Sequence, residues 1–314
     1  MKQGVALSVF SSFLFAALYY YATLLHPLSG EAIFAWRVIL AMPVLALLIS
    51  RARGWKAIHG IHLRLRREWR LWMALLTSGG LIGVQLLIFV WAPLHGYALD
   101  VAMGYFLLPL AMVVAGRVFY GERLTRFQQA AVIMAALGVG HELLRVGAFS
   151  WATAVVMLGY PPYFMLRRRL RMSALAGLWF DMLLLLPIAL WLLAAQEPGF
   201  LTQFSGRPWL WLLVPLLGAI SSTALVCYLA ASRRLPLGLF GILGYVEPVL
   251  LFWVAFLLLG EPISLESLGT YLPIWLAVLL MAIEGTLAWR REAVAARPTR
   301  ETTKRLQRTG RPRA

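Results

Sequence analysis

Pro109-Leu-Ala-Met-Val-Val-Ala-Gly-Arg-Val-Phe-Tyr-Gly121-Glu122 has a counterpart 139 residues further on, Pro248-Val-Leu-Leu-Phe-Trp-Val-Ala-Phe-Leu-Leu-Leu-Gly260-Glu261. In each copy a proline is followed twelve residues later by Gly-Glu, across an almost wholly apolar run. A duplicated element at constant spacing marks an internal repeat. The apolar run between its landmarks makes this the kind of repeat found in membrane proteins, with a site expected between the halves.

Composition agrees. Of 314 residues, 61% are hydrophobic and only 13% charged, too little polar surface for a soluble globule of this size. The single cysteine, Cys227, excludes an intramolecular disulfide, and at an apolar position its expected role is packing rather than chemistry. The net charge of +16 raises the question of nucleic acid, but the basic residues sit in short clusters between apolar runs, with no nucleic-acid-binding motif. Lys2 and the apolar run to Leu25 imitate a signal peptide. The run is too long for an h-region and lacks a small-residue cleavage site, so a retained first helix is expected.

Dividing the chain at charge clusters and Gly/Pro breaks gives ten apolar runs, each long enough to cross a bilayer as a helix. They cover 3–25, 31–50, 71–91, 97–117, 125–145, 148–166, 174–195, 208–231, 235–259 and 267–289. With the N-terminus in the cytoplasm, 26 of the 29 Lys and Arg residues fall in inside segments, so the positive-inside rule places both termini there. Five spans per half forces opposite orientations. The expected fold is therefore an all-α polytopic membrane protein: ten transmembrane helices in two inverted five-helix repeats, 1–146 and 147–290, with a disordered basic cytoplasmic tail over 291–314. Trp55 to Arg70 mixes basic with aliphatic residues. It reads either as an amphipathic helix on an anionic membrane surface or as a solvated loop.

Six charged residues fall within the spans: Arg37, Asp100, Glu142, Asp181, Glu247 and Glu284. A charge at membrane depth costs a few kcal/mol on insertion scales, so each asks for a partner, a cavity or a function. Glu142 and Glu284 lie near span ends, where they are expected to reach water. Glu247 lies near mid-span directly before Pro248 and after Gly241, Gly244 and Tyr245, where a proline disturbs the preceding turn. A broken helix there would present a carboxylate to a wet cavity; the competing reading is a buried structural acid. Arg37 either snorkels outward or pairs with Asp100. Tyr105, near Gly104 and Pro109, and Tyr163, beside Gly159, Tyr160, Pro161 and Pro162, sit in distorted stretches. Such tyrosines stack on an amphipathic ligand or simply pack.

Two motifs point elsewhere. His95-x4-Asp100 has the spacing of some acyltransferases, yet no soluble domain or phosphate-binding loop accompanies it. His59-x2-His62 has too few companions for a metal, and the glycines lack P-loop or Rossmann spacing. No metal, nucleotide or other cofactor is expected, and no catalytic residue is assigned.

The ten spans with a Pro...Gly-Glu element in each half resemble the EamA-type branch of the drug/metabolite transporter superfamily. Gln85-Leu-Leu-Ile-Phe-Val-Trp91-Ala, Leu99-Asp100, Gly104-Tyr105-Phe106-Leu-Leu-Pro109-Leu and Gly121-Glu122-Arg123 resemble the signature stretch of RarD-type permeases. Trp36-Arg37-Val38-Ile39, Arg167-Arg168-Arg169 and Asp181 to Pro187 are similar to that group's span-two motif, central basic loop and span-seven stretch. Asp100 and Asp181 stand where that group usually has Glu, Leu108 where it has Asn, Trp36 where it has His, and Thr23 in place of a frequent Lys. After the Trp-Ala, Pro93, Leu94 and His95 replace a run of Asn. The resemblance implies a permease or exporter for a small metabolite or amphipathic drug-like molecule, working by alternating access in the cytoplasmic membrane. Together with the charges and distorted stretches inside the spans, it singles out Arg37, Gln85, Asp100, Tyr105, Tyr163, Asp181, Tyr245 and Glu247 for substrate binding or gating, the Tyr245-Val-Glu247-Pro248 element looking closer to other EamA carriers. A proton is a candidate coupling ion, and anionic lipids are expected partners of the basic loops. The alternatives are a membrane-embedded enzyme such as an acyltransferase, or a non-transporting scaffold or receptor.

Overall fold

The computed structural model describes residues 2–92, 97–147, 150–196, 199–258 and 265–295. Among these the chain is helical throughout, with no strand: α1 (Lys2–Leu24), α2 (Gly30–Arg51), α3 (Trp55–Leu65), α4 (Trp69–Trp91), α5 (Ala98–Tyr120), α6 (Arg126–Val146), α7 (Trp151–Leu170), α8 (Ala174–Ala194), α9 (Phe200–Ser205), α10 (Leu210–Arg234), α11 (Leu237–Leu243), α12 (Val246–Leu258) and α13 (Leu265–Ala295). Seven helices are long and apolar enough to cross a membrane, and Lys2–Leu18 and Leu237–Leu250 are shorter apolar stretches. α7 has 20 residues and carries Arg167, Arg168 and Arg169 in its last turn.

The helix boundaries follow from local chemistry. Ser29, Thr125, Ser150 and Ser173 each accept a backbone N–H of the helix they precede, satisfying donors that have no intrahelical partner. Thr125 and Gln128 complete a reciprocal capping box. α5 ends on Gly121 at φ 62°, a left-handed conformation that glycine adopts without Cβ strain. The expected interruption of span nine is present: α11 closes at Gly244, whose N–H reaches the carbonyls of Gly241 (2.8 Å) and Phe240 (3.2 Å), and α12 begins at Val246. Pro248 then falls in the first turn of α12, where a missing N–H leaves no bond unmade.

Close packing relies on small residues. α6 packs along α13, α1 along α10, α2 along α8, and α5 along both α7 and α11. A Cβ at Gly138 would stand 2.6 Å from the Thr270 carbonyl, one at Gly104 would be 2.6 Å from Val156 Cβ, and one at Gly241 would be 2.8 Å from the Pro109 carbonyl. Such approach gives helices dispersion contact where lipid supplies no hydrophobic drive for association. Meanwhile Leu144, Leu212, Trp191, Val118 and Phe119 are exposed. In water that distribution would be an aggregation hazard; in a bilayer it is the lipid-facing surface.

α3 settles the reading of the segment from Trp55. Ile58, Ile61 and Leu65, at helical spacing, are buried while Lys56, His59, His62 and Arg64 are exposed, an amphipathic surface helix. Trp55 closes it onto the bundle, bonding Ser50 Oγ at 2.8 Å and meeting Trp179 edge-on at 5.3 Å. At the C-terminus, α13 runs to Ala295, past the expected start of the tail at 291. His95, Gly260-Glu261 and the remainder of the tail lie outside the described residues.

Candidate functional site

The eight singled-out residues separate into distinct groups. Arg37 on α2, Tyr105 on α5 and Glu247 on α12 come together in the interior with two further tyrosines, Tyr160 on α7 and Tyr228 on α10. Arg37 faces Tyr105 and Tyr160, and Glu247 is within electrostatic reach of Tyr105, Tyr160 and Tyr228. An aromatic wall continues from this group: Tyr105–Tyr160 (6.2 Å), Tyr160–Phe164 (6.0 Å, stacked), Phe164–Phe240 (5.1 Å), Tyr228–Phe240 (4.8 Å) and Phe15–Tyr228 (5.7 Å).

The two charges are held differently. Arg37 Nε donates to Ser221 Oγ at 2.8 Å, which fixes the guanidinium and leaves both Nη groups without a protein partner among the described residues. The Glu247 carboxylate has no hydrogen bond or ion pair among them; its backbone N–H donates to the Gly244 carbonyl at 3.3 Å. Arg37, Tyr105, Tyr228 and Glu247 lie in the interior yet are only half-buried, so part of each side chain is left uncovered by the described residues. A desolvated charge without a partner is costly, so this arrangement is suited to water, a proton or a ligand group.

Asp181 and Tyr163 belong to another network. The Asp181 carboxylate, fully buried, accepts from Ser78 Oγ and from Tyr163 Oη, both at 2.9 Å, and lies 4.0 Å from Arg167 Nη1. These residues tie α4, α7 and α8 together. Arg167, expected in a basic loop, is instead 4% exposed, and its guanidinium covers Gly177, where a Cβ would collide with it. Nothing in this group faces Glu247.

Gln85 is also buried. Its Nε2 donates to the Val155 carbonyl at 2.8 Å, its Oε1 has no partner among the described residues, and it occupies the space left by the missing side chain of Gly159. The carbonyl of Asp100 accepts from Thr153 Oγ1 at 2.8 Å. Asp100 makes no ion pair with Arg37, because Ser221 holds that arginine on the α10 side. Tyr245, 1% exposed, donates from Oη to the Phe106 carbonyl at 3.0 Å, a bond between α5 and the α11–α12 junction. Glu142, expected to reach water, is buried between Arg145 and Thr270 Oγ1.

Glu122 has a definite task that its motif did not announce. Its two carboxylate oxygens accept the first N–H groups of α11, from Leu237 at 2.6 Å and Gly238 at 2.7 Å. A carboxylate is favoured at a helix N-terminus by both the free donors and the dipole. Arg168 stands beside it, with Nη1 3.5 Å from Glu122 Oε1, Nη2 donating to the carbonyls of Ser232 and Leu235, and the guanidinium over the Tyr120 ring. α5, α7, α10 and α11 are thus joined at the end of the bundle that carries the basic turns.

Most of the chain aligns with known proteins. It is 50% identical over 293 residues to the chloramphenicol-sensitive protein RarD of Pseudomonas aeruginosa, covering 93% of this chain and 97% of that one. The chain belongs to the RarD family. An uncharacterized transporter of Haemophilus influenzae is 39% identical over 91% of this chain and 95% of its own length, and protein RarD of Escherichia coli is 28% identical over 92% and 97%. No family model matches. A crystal structure 19% identical in sequence superposes with a TM-score of 0.68, covering 89% of this chain and 96% of that one, which shows a shared fold. Membership of the RarD family, with relatives named as transporters and a bundle of apolar helices, makes this chain a multi-pass membrane transporter.

Among the interior residues of this RarD-family chain, Tyr160 was visible only as part of a proline-interrupted stretch. Tyr228 carried no signal at all: it is one aromatic in an apolar helix, and only the packing of α10 turns it toward Glu247.

Proposed function

We propose that the chain is a secondary transporter of the cytoplasmic membrane, moving a small metabolite or amphipathic drug-like molecule by alternating access. Ten crossings are inferred, as two inverted halves at 1–146 and 147–290, with α11 and α12 together forming the ninth. The helix pairing supports this reading. When each crossing is exchanged with the one five places away, α1·α10 becomes α7·α4, α5·α7 becomes α1·α12, and α10·α2 becomes α4·α8, and every one of these pairs is packed. The pairs α6·α13, α2·α8 and α5·α11 map onto themselves. Inverted repeats of this kind expose one central site alternately to each side.

The observation that carries the functional reading is Glu247, an interior carboxylate at a helix break with no bonded partner among the described residues, within electrostatic reach of Tyr105, Tyr160 and Tyr228, the first two of which also face Arg37. An apolar ligand body stacks on the aromatic wall, Arg37 Nη receives an acceptor, and Glu247 receives an ammonium or a proton. The described chain and its sequence motifs offer no ATP-binding segment, so movement is downhill, by exchange, or driven by an ion gradient. The basic turns at one end and the positive-inside rule support cytoplasmic termini.

The test is a thermal-shift screen over amino acids, amines and amphipathic drugs, chloramphenicol included, followed by flux of the best binder into proteoliposomes with an imposed pH gradient. Saturable flux that Glu247→Gln abolishes supports the reading. A bound compound that is turned over chemically rather than moved supports the enzyme alternative instead.

A further inference from the structure

At the basic end of the bundle, a cavity of about 420 Å³ is walled by Tyr120, Glu122, Arg168, Arg171, Arg233 and Arg234. Its charges do not balance. Arg168 is committed to Glu122 and to the α10 carbonyls. Arg171, Arg233 and Arg234 are exposed and have no ion pair among the described residues; Arg234 Nη1 bonds only the carbonyl of its own helix at Ala230. Arg233 is flanked by the like charges of Arg234 and Arg167. The chain therefore gathers three uncompensated guanidinium groups around one concavity, which costs repulsion unless an anion enters.

The position of the cavity says which anion. Tyr120 forms part of its wall and is itself exposed at the end of α5, directly after Val118 and Phe119, which are 67% and 66% exposed on the lipid-facing surface. The cavity thus opens where the apolar flank ends and the basic rim begins, the level at which phospholipid phosphates lie. Guanidinium forks match phosphate oxygens in pairs, and basic pockets between transmembrane helices hold acidic headgroups.

We propose that this cavity is a binding site for the headgroup of an anionic phospholipid, its phosphate held by Arg171, Arg233 and Arg234 at the membrane level marked by the exposed Tyr120. A lipid with two phosphodiesters neutralises more of the three charges than one with a single phosphate and binds more tightly. The site is independent of the transport reading and does not involve Glu247.

Native mass spectrometry of the purified full-length protein tests this, with cardiolipin, phosphatidylglycerol, phosphatidylcholine and inorganic phosphate as probes. The expected order is cardiolipin, then phosphatidylglycerol, with phosphatidylcholine and free phosphate not retained. Replacing Arg171, Arg233 and Arg234 by Gln weakens cardiolipin retention on the order of a hundredfold, at about a factor of five per arginine. An equal charge loss at the exposed Arg123, Arg126 and Arg169, outside the cavity wall, changes retention by less than about twofold. All three replaced arginines are exposed, and the single change Arg233→Gln, with a fivefold effect, serves if the triple variant is recovered poorly. Equal retention in the two triple variants overturns the site, as does binding of free phosphate that matches binding of the lipids.

Discussion

Tyr245 donates its hydroxyl proton to the carbonyl of Phe106 at 3.0 Å, and the two residues are 139 positions apart, the same interval that separates Pro109 from Pro248 and Glu122 from Glu261. They are thus equivalent positions in the two copies of the repeat, bonded directly to each other. In the proposed inverted repeat, a contact between equivalent positions lies on the axis that relates the two halves. Only one copy has the tyrosine, so the bond is made once.

Tyr245→Phe keeps the ring and removes this donor, while the Phe106 carbonyl stays within the helix ladder of α5. The expected loss is about 0.5–1.5 kcal/mol of stability, read as a lowered unfolding temperature in detergent. A neighbouring change at half-buried Val249→Ala is expected to cost less.

Glu122→Ala removes the acceptor from two N–H groups of α11 and the ion-pair partner of Arg168. Loss of a helix cap costs about 0.5–2 kcal/mol. Glu122→Asp, too short to reach both donors, is expected to lie between wild type and Ala. Hydrogen exchange at Leu237 and Gly238 reports the effect locally, as faster exchange in Ala than in Asp.

Asp181 and Glu247 are predicted to differ in kind. Asp181→Ala breaks a buried network and leaves Arg167 without its counter-charge, an expected loss of about 3–5 kcal/mol. Glu247→Gln leaves no partner stranded, because none is bonded, and is expected to be near neutral for stability while abolishing transport. The pair of unfolding curves checks the contrast: equal destabilisation by both changes contradicts it.

Gly159→Ala sets a methyl group against the Gln85 amide. Overpacking of this kind costs about 1–3 kcal/mol. Because Gln85 can yield by leaving the Val155 carbonyl, the double change Gly159→Ala with Gln85→Ala is expected to recover part of the loss in the same thermal assay.

Much of the architecture was legible in the chain because membrane helices announce themselves by length and by the charges that end them. The break before Glu247 was legible too, from glycines and a proline in series. The amphipathic segment at Trp55 left two readings, and only the burial of Ile58, Ile61 and Leu65 against the bundle chose between them. The site was read less well. A charge at membrane depth states that it needs company without saying which, so Asp181 and Glu247 were both expected to bind or gate. Ser78 on α4 with Tyr163 and Arg167 on α7 make Asp181 a structural tie, while the Glu247 carboxylate has no bonded partner among the described residues. Arg37 with Asp100 was reasonable from depth alone, but rotation about the helix axis decides contact, and α2 turns Arg37 to Ser221 on α10. Glu122 was conspicuous as half of a repeat, yet capping α11 depends on a fold-back that no local spacing encodes.

The central claim is that Glu247 faces a water-filled cavity between the halves, and thiol labelling tests it without knowledge of the substrate. Cys227→Ser removes the single native thiol, and Glu247→Cys is then exposed to a membrane-impermeant maleimide in right-side-out and in inside-out vesicles, with fully buried Ala277→Cys as the reference. The account predicts labelling of position 247 from both faces and none at 277. A position 247 as unreactive as 277 from either side would contradict it.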